Sequence, residues 1–288
     1  MCNHILYAVI YCFSLLPMPI LLFLARILAF LNFYILPYRK KLVMKNLANS
    51  FPDKSRAELD KIARQFYRVF YFSLMETLKL FSVDISELKR RTSLVNPEVF
   101  DDPDFTNKCT IGVCGHLFNW EWLVGIRHLA PYENLYGIYH PIKNEFWNEK
   151  LKVSRAIAGS KLISSFETKE LVKQQGNDGK SLYLFLSDQS PAVYKKPKAF
   201  VNFLNQKTAV LTGWEELARE KGFNVVYIES IYVKPGHYQY KVERILPDNP
   251  EGFAPLELIH KYHHLLEESI QKQPFNYLWS HKKWKHRC

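Results

Sequence analysis

Residues 109–121 read Cys-Thr-Ile-Gly-Val-Cys-Gly-His-Leu-Phe-Asn-Trp-Glu, an apolar run that stops at a histidine. The run from Cys109 to Gly115 has the length and composition of a buried strand. A helix is predicted to begin at Asn119, which is a favourable N-cap residue. A strand followed at once by a helix is typical of an α/β sheet, and such sheets bind ligands beyond the carboxyl ends of their strands. His116 and Glu121 therefore stand where a functional site is expected.

Helical and strand patterns alternate on either side of this stretch. Helices are predicted for residues 55–81, 144–158, 167–175, 208–221 and 256–271, and strands near residue 162 and at 182–186, 225–233 and 238–245. Ser55 followed by Glu58 is the pattern of a capping box at a helix start. The last two strands are joined by a Lys234-Pro235-Gly236 turn, which predicts an antiparallel pair. The sequence therefore predicts an α/β fold with a mixed central sheet flanked by helices.

A nearly continuous apolar segment runs from Ile5 to Leu36. The residues after it are basic: Arg39, Lys40, Lys41 and Lys45. Pro17 and Pro19 are expected to break the segment into helices of about 12 and 17 residues, short of the ~20 residues that a span needs. We predict a retained membrane anchor over residues 1–38, either bent and embedded or spanning, and a second domain over residues 39–288. The basic residues are predicted on the cytoplasmic side, and a buried core helix is the alternative for the segment.

Composition and charge exclude several classes of protein. Lys and Arg number 39 against 28 Asp and Glu, a formal net charge of +11 that indicates an anionic partner. The mean hydropathy of −0.20 argues against a polytopic membrane protein. The five cysteines lack paired CxxC spacing, so neither a disulfide framework nor a metal site is predicted. Nucleic acid is not favoured as the partner, because no recognition fold accompanies the basic tail from His281 to Arg287.

His116 and Glu121 are predicted to form a general-base pair. On a continuous helix their five-residue separation is about 500°, which would turn the two side chains about 140° apart. His116 must therefore lie in the turn before the helix and Glu121 in the first helical turn, so that imidazole and carboxylate converge near the helix N-terminus. A histidine oriented by a carboxylate takes a proton from an alcohol or amine while it attacks an acyl carbonyl.

Several short motifs extend this pattern along the chain. They are His-Leu-Phe-Asn-Trp-Glu at 116–121, Asn46-Leu47, Phe51-Pro52, Tyr139-His140-Pro141 followed by Asn144, Arg155 with Gly159, Asp188-Gln189, and Tyr277-Leu278-Trp279 before the basic residues 281–285. Together they are similar, nearly from end to end, to the motifs of the bacterial lipid A biosynthesis acyltransferases of the lysophospholipid acyltransferase superfamily. Two positions depart from that family, which has glycine in place of Phe118 and arginine in place of His140.

The resemblance implies transfer of a fatty acyl chain, commonly from an acyl carrier protein thioester, to a hydroxyl of a lipid A precursor. It places this reaction at the cytoplasmic face of the inner membrane, with the acyl thioester as co-substrate and no other cofactor. It implies His116 as the general base and Glu121 as its partner. The substrate-binding residues that it implies are Asn119, Arg155, Asp188 and Gln189. Beside them we expect an apolar tunnel for the acyl chain, and as partners the acyl carrier protein, the lipid acceptor and an anionic membrane surface.

Two other functions fit the same sequence. The first keeps the chemistry and changes the acceptor to an aminolipid, a lysophospholipid or another glycolipid. The second is a non-enzymatic peripheral protein that binds anionic lipid or nucleic acid through its charge. The candidate residues also have structural interpretations: Asp188 as a cap, Arg155 as a solvated helix charge, His140 as a turn residue, Trp120 and Trp122 as packing residues, and His263 and His264 as surface residues.

Overall fold

The computed structural model describes residues 2–191, 197–249 and 252–285. The helices of these residues are α1 (Cys2–Leu15), α2 (Met18–Tyr34), α3 (Lys40–Ser50), α4 (Arg56–Lys79), α5 (Ile85–Arg91), α6 (Asp104–Asn107), α7 (Glu145–Arg155), α8 (Thr168–Gln174), α9 (Gly213–Lys221) and α10 (Glu257–Lys272). The strands are β1 (Thr92–Leu94), β2 (Thr110–Cys114), β3 (Asn134–Tyr139), β4 (Lys161–Ser164), β5 (Ser181–Leu186), β6 (Ala199–Phe203), β7 (Gln206–Val210), β8 (Asn224–Lys234) and β9 (His237–Arg244). Two 3₁₀ helices cover Pro97–Asp101 and Trp120–His128.

Seven strands form one sheet in the order β1-β9-β8-β2-β5-β3-β4. All neighbours are parallel except β8 and β9, which are antiparallel as the turn at 234–236 predicted. The strands β6 and β7 form a separate antiparallel hairpin. The predicted α/β fold with a mixed central sheet flanked by helices is therefore confirmed.

The central strands have apolar residues on both faces because helices cover both sides of the sheet. Val225 and Tyr227 of β8 belong to one core layer, whereas Val226 and Ile228 belong to the other. This alternation follows the two-residue period of a strand. Gly112 in β2 leaves room for its neighbours, since a Cβ there would lie 2.8 Å from Ile228 and Leu184 side-chain atoms.

A local sequence pattern sets the start of helix α4. It begins after Ser55, whose hydroxyl accepts a bond from the Glu58 backbone while the Glu58 carboxylate accepts one from the Ser55 backbone. The predicted capping box is therefore present. Its apolar face packs in the core through Leu59, Ile62 and Phe66 among others.

The helix predicted for residues 208–221 is wrong at its start. Residues 206–210 form strand β7, and α9 begins only at Gly213. The hairpin turn at Leu204 and Asn205 has positive φ at both positions, 50° and 61°, the conformation of tight hairpin turns. This turn brings β6 onto β7, so pairing between strands overrides the helical pattern. No strand was predicted at β1, β3 or β6.

The apolar N-terminal segment forms α1 and α2, which meet at an angle of 112°. No helix among the described residues is long and apolar enough on its own to cross a bilayer, and only this bent pair has the required length and composition. One face of α2, which includes Leu21 and Ala25, packs against α4. The ammonium group of Lys79 in α4 donates hydrogen bonds to the Ser14 and Leu16 carbonyls at the bend.

Candidate active site

The register between β2 and β5 brings His116 and Asp188 together. Cys114 pairs with Leu186 at the carboxyl ends of these parallel strands. His116 and Asp188 each lie two residues further along and are both buried. His116 Nδ1 is 2.5 Å from Asp188 Oδ1. The two side chains therefore meet at the carboxyl edge of the sheet.

The bonds to His116 define its tautomer. Burial alone would raise the pKa of Asp188, but its interaction with His116 and the charge of Lys283 hold that pKa well below its usual value. An ionised carboxylate only accepts hydrogen bonds, so Nδ1 of His116 carries the proton. The other ring nitrogen, Nε2, lies 3.0 Å from the amide nitrogen of Gln189 and accepts from it. The lone pair of Nε2 is therefore the basic position of the imidazole.

The predicted direct contact between His116 and Glu121 is wrong. Both ring nitrogens of His116 are bonded to Asp188 and Gln189. The Glu121 carboxylate instead accepts two bonds from Arg155, at 2.7 Å from Nε and 2.6 Å from Nη2. The reason is local: the predicted helix is a 3₁₀ helix from Trp120, and Asn119 caps the Glu121 backbone at 3.0 Å. Glu121 thus faces the end of α7.

Trp120 connects the two pairs of residues. Its ring contacts the His116 ring edge to face, with centroids 5.1 Å apart. Its indole nitrogen donates to Glu121 Oε1 at 3.3 Å. Arg155, which has a side chain only 26% exposed, is therefore not a solvated helix charge. The Glu121–Arg155 ion pair is joined to the imidazole through the indole of Trp120.

Phe118 is fully buried. Its ring packs against Phe66 and Phe70 of α4 and against Trp120. Its backbone nitrogen donates to the Asn276 carbonyl at 3.2 Å, and Leu117 forms a bridge with Tyr277. The large side chain thus fixes the turn after His116 between α4 and the C-terminal segment.

Asn119 and His140 form hydrogen bonds with residues other than His116. Asn119 is fully buried, and its amide nitrogen donates to the Ser73 carbonyl and to Glu76. His140 follows β3, is exposed, and bonds Ser165 at 3.1 Å. Asn119 therefore braces the turn, and the structure does not bring His140 to His116.

Two residues of the C-terminal half are buried, contrary to prediction. His263 was expected on a polar helix face, but it is 3% exposed, and burial lowers its pKa to about 3. Lys283 belongs to the predicted basic tail from His281 to Arg287, yet it is 3% exposed and its ammonium group bonds the Asp188 carbonyl. Trp279 and Trp284 flank Lys283 and are the sequence signal that this segment packs inward. Residues 286–288 of the tail lie outside the described part of the chain.

The structure also has a cavity that is not lined by His116 or Asp188. A cavity of about 690 Å³ lies at the opposite edge of the sheet, between the end of β9 and α10. Across residues 2–191, 197–249 and 252–285, no group of three or more His, Cys, Asp or Glu side chains is arranged to hold a metal ion. The apolar tunnel stays a prediction.

Comparison with known proteins agrees with the motifs. The family model of the bacterial lipid A biosynthesis acyltransferases matches residues 2–286. The lipid A biosynthesis lauroyltransferase of Escherichia coli (strain K12) is 23% identical to this chain over 274 residues, which are 94% of this chain and 87% of that relative. The chain therefore belongs to the bacterial lipid A biosynthesis acyltransferase family and is an acyltransferase.

Proposed function

We propose that this acyltransferase moves a fatty acyl chain from an acyl thioester to a hydroxyl of a lipid A precursor, with His116 as general base and Asp188 as its orienting carboxylate. The observation that carries the proposal is the 2.5 Å contact between His116 Nδ1 and Asp188 Oδ1 at the carboxyl edge of the sheet. This contact leaves the lone pair of Nε2 as the base. In this proposal Asp188 has the role that was predicted for Glu121.

In the proposed reaction the acceptor hydroxyl approaches Nε2 and replaces the Gln189 amide as its hydrogen-bond donor. As Nε2 removes the hydroxyl proton, the oxygen attacks the thioester carbonyl and forms a tetrahedral oxyanion. Asp188 stabilises the resulting imidazolium. The intermediate then collapses, the carbon–sulfur bond breaks, and the imidazolium returns the proton to the departing thiolate. The products are an ester and a free thiol, and no serine or cysteine nucleophile is required.

The Glu121–Arg155 pair has a supporting role in this proposal. Glu121 accepts from both Arg155 and the Trp120 indole, which lies against the imidazole. Fixing Trp120 fixes the plane of the base. Nη1 of Arg155 makes no bond to Glu121, and we assign it to an anionic group of the acceptor.

The N-terminal helices support action at a membrane. Beside its face on α4, helix α2 has a second apolar face of exposed side chains. These are Ile20, Phe23, Ile27, Phe30 and Tyr34, spaced at three and four residues. An exposed apolar face favours contact with lipid, and the basic residues Lys41 and Lys45 that follow are also exposed. We therefore propose association with the cytoplasmic face of the inner membrane.

The net charge supports an acidic donor. Acyl carrier protein is acidic, and a chain of formal net charge +11 attracts such a partner at long range. We propose an acyl carrier protein thioester as donor, with an encounter rate that falls as salt rises. The acyl chain is assigned to the apolar tunnel predicted beside His116.

The test is a transfer assay with the full chain in detergent or vesicles. Acyl carrier protein thioesters and coenzyme A thioesters are offered separately as donors. A labelled lipid A precursor, a lysophospholipid, an aminolipid and another glycolipid are offered as acceptors. We expect ester formation on the lipid A precursor, fastest with the carrier protein thioester. Transfer only to one of the other acceptors would show that the proposed acceptor is wrong.

The matched variants are His116→Ala and His264→Ala. We expect the first to lose transfer, because the base is gone, while its thermal unfolding stays close to that of the parent protein. His264 is exposed on α10 and pairs only with Glu268 among the described residues, so its variant controls for loss of a histidine. Full turnover by His116→Ala would refute the proposed base.

A further inference from the structure

Lys283 is a buried lysine next to Asp188 of the proposed catalytic pair. It is 3% exposed and comes from the C-terminal segment. Its ammonium group donates to the backbone carbonyl of Asp188 and lies 4.8 Å from the centroid of the Phe203 ring. It forms no ion pair with a carboxylate of the described residues. A buried ammonium group is costly, so its position needs a compensating interaction.

Two hydrogen bonds in opposite directions join Lys283 to residues 188–190, and we call this pair of bonds the clasp. The lysine side chain donates to the Asp188 carbonyl, and the Ser190 hydroxyl donates to the Lys283 carbonyl at 2.5 Å. The side chains of Asp188 and Gln189, inside this clasp, contact both ring nitrogens of His116. The clasp therefore holds the two groups that orient the imidazole.

The C-terminal segment is itself tied to distant parts of the chain. Asn46 of α3 donates to the carbonyls of Trp279 and His281, at 2.8 and 3.2 Å. Arg39 donates to the Ser280 carbonyl at 2.9 Å. These bonds hold residues 279–281 just before Lys283. The position of Lys283 is therefore set by the fold and not by one flexible side chain.

On this geometry we propose that Lys283 is a positioning residue for acyl transfer, which clasps the Asp188–Ser190 turn and supplies a positive charge beside the Asp188 carboxylate. The inference rests on the proposed role of His116 and Asp188. It adds a residue that touches neither substrate nor the reacting atoms.

The charge of Lys283 depends on pH. Burial lowers its pKa to about 8, against the opposing effect of Asp188. Among the described residues, the titratable groups that interact with its charge include Asp188, which is bonded to His116, His281 of the same segment and His263 of α10. Burial lowers the pKa of His281 to about 4 and of His263 to about 3, so both are neutral at pH 7. Above pH 8 the lysine becomes a neutral amine, which still donates a hydrogen bond but no longer provides the charge.

Two variants separate the charge from the packing. Lys283→Arg keeps a cation that does not titrate in this range, and Lys283→Met keeps an unbranched chain without charge. Lys282→Met is the matched control, because Lys282 is the exposed neighbour. Each full-length protein is assayed between pH 6 and 10 with the acyl carrier protein thioester and lipid A precursor, and the rate of His116→Ala is subtracted as background.

We expect kcat of the parent protein to fall above pH 8 and the fall to move upward by about one pH unit or more in Lys283→Arg. In Lys283→Met we expect kcat at pH 7 to drop roughly ten- to a hundredfold with KM for the donor unchanged, and the alkaline fall to vanish.

A parental kcat and pH profile in Lys283→Met would overturn the proposal. An unchanged alkaline fall in Lys283→Arg, or a drop in kcat with the parental profile in Lys283→Met, would leave only a structural role and also overturn it. If Lys283→Met fails to fold, the Lys283→Arg profile decides alone. A fully active His116→Ala would instead refute the underlying base assignment.

Discussion

Asp188 Oδ1 lies 2.5 Å from His116 Nδ1, although the two residues are separated by the whole of β3, α7, β4, α8 and β5. Glu121, only five residues from His116, bonds Arg155 instead. The parallel pairing of β2 with β5 sets this arrangement. His116 and Asp188 come together because each lies two residues beyond the end of its strand, and these strand ends are paired. Glu121 lies in the 3₁₀ helix that follows, and its carboxylate bonds Arg155.

Asp188→Asn should therefore reduce activity far more than Glu121→Gln. An amide at position 188 cannot stabilise the imidazolium and presents a donor that favours the wrong tautomer, so we expect kcat to fall by about 10³-fold or more. Glu121→Gln leaves both contacts of His116 in place and should cost roughly tenfold. Steady-state kinetics with both variants measures the difference. If Glu121→Gln proved the more damaging substitution, Asp188 would not be the orienting carboxylate.

The Glu121–Arg155 pair should show strong coupling in stability. Its side chains are only 13% and 26% exposed, and breaking the two charged hydrogen bonds with Glu121→Gln or Arg155→Met should cost about 1–3 kcal/mol each. The double variant should cost less than the sum, because either substitution alone already breaks the pair. Denaturant unfolding in detergent measures this cycle. The control is the exposed Glu149–Lys152 pair of α7, for which we expect a coupling of about 0.5 kcal/mol or less. Equal coupling for both pairs would contradict the assigned role.

The outer face of α2 should determine membrane binding. Phe23 and Phe30 are each 58% exposed on the face opposite α4. Phe23→Glu combined with Phe30→Glu removes apolar area and adds negative charge, so we expect partitioning onto anionic vesicles to weaken at least about tenfold. The thermal unfolding midpoint should change little, since neither ring packs in the core. Leu246→Glu, at a 55% exposed leucine just after β9, is the control and should bind vesicles like the parent protein. Unchanged sedimentation of the α2 variant with vesicles would remove α2 from the membrane contact.

His263 should make the protein less stable in mild acid. Its pKa is about 3 in the folded protein because of burial, against 6.5 for an exposed histidine. The unfolded chain therefore takes up the proton first, so the stability that is complete above pH 6.5 is lost as the pH falls toward 3. At pH 5 the expected loss is about 2 kcal/mol.

The measurement compares the free energy of unfolding at pH 7.5 and pH 5. In His263→Leu the difference between the two pH values should shrink by about 2 kcal/mol, whatever the constant cost of the substitution. In His264→Leu, at the exposed neighbour, it should stay as in the parent protein. The same pH difference in all three proteins would show that His263 is not protonated on unfolding in this range.

Local patterns in the sequence predicted much of the fold. The capping box at Ser55, the repeat of apolar residues along α4 and the apolar run of β2 act over a few residues, so they are readable without the rest of the chain. The position of His116 at a strand end belongs to the same class. The start of β7 was mispredicted because its pairing with β6, and not its own helical pattern, decides its conformation.

By itself the sequence determined that strands and helices alternate, that residues 5–36 are apolar, and that an imidazole stands at the end of β2, because these properties depend on neighbours in the chain. Only the tertiary structure decided that Asp188 meets the imidazole, that Glu121 pairs with Arg155, and that Lys283 and His263 are buried. These contacts join residues far apart in sequence. They depend on strand register and on how the C-terminal segment packs, and neither leaves a periodic pattern in the residues themselves.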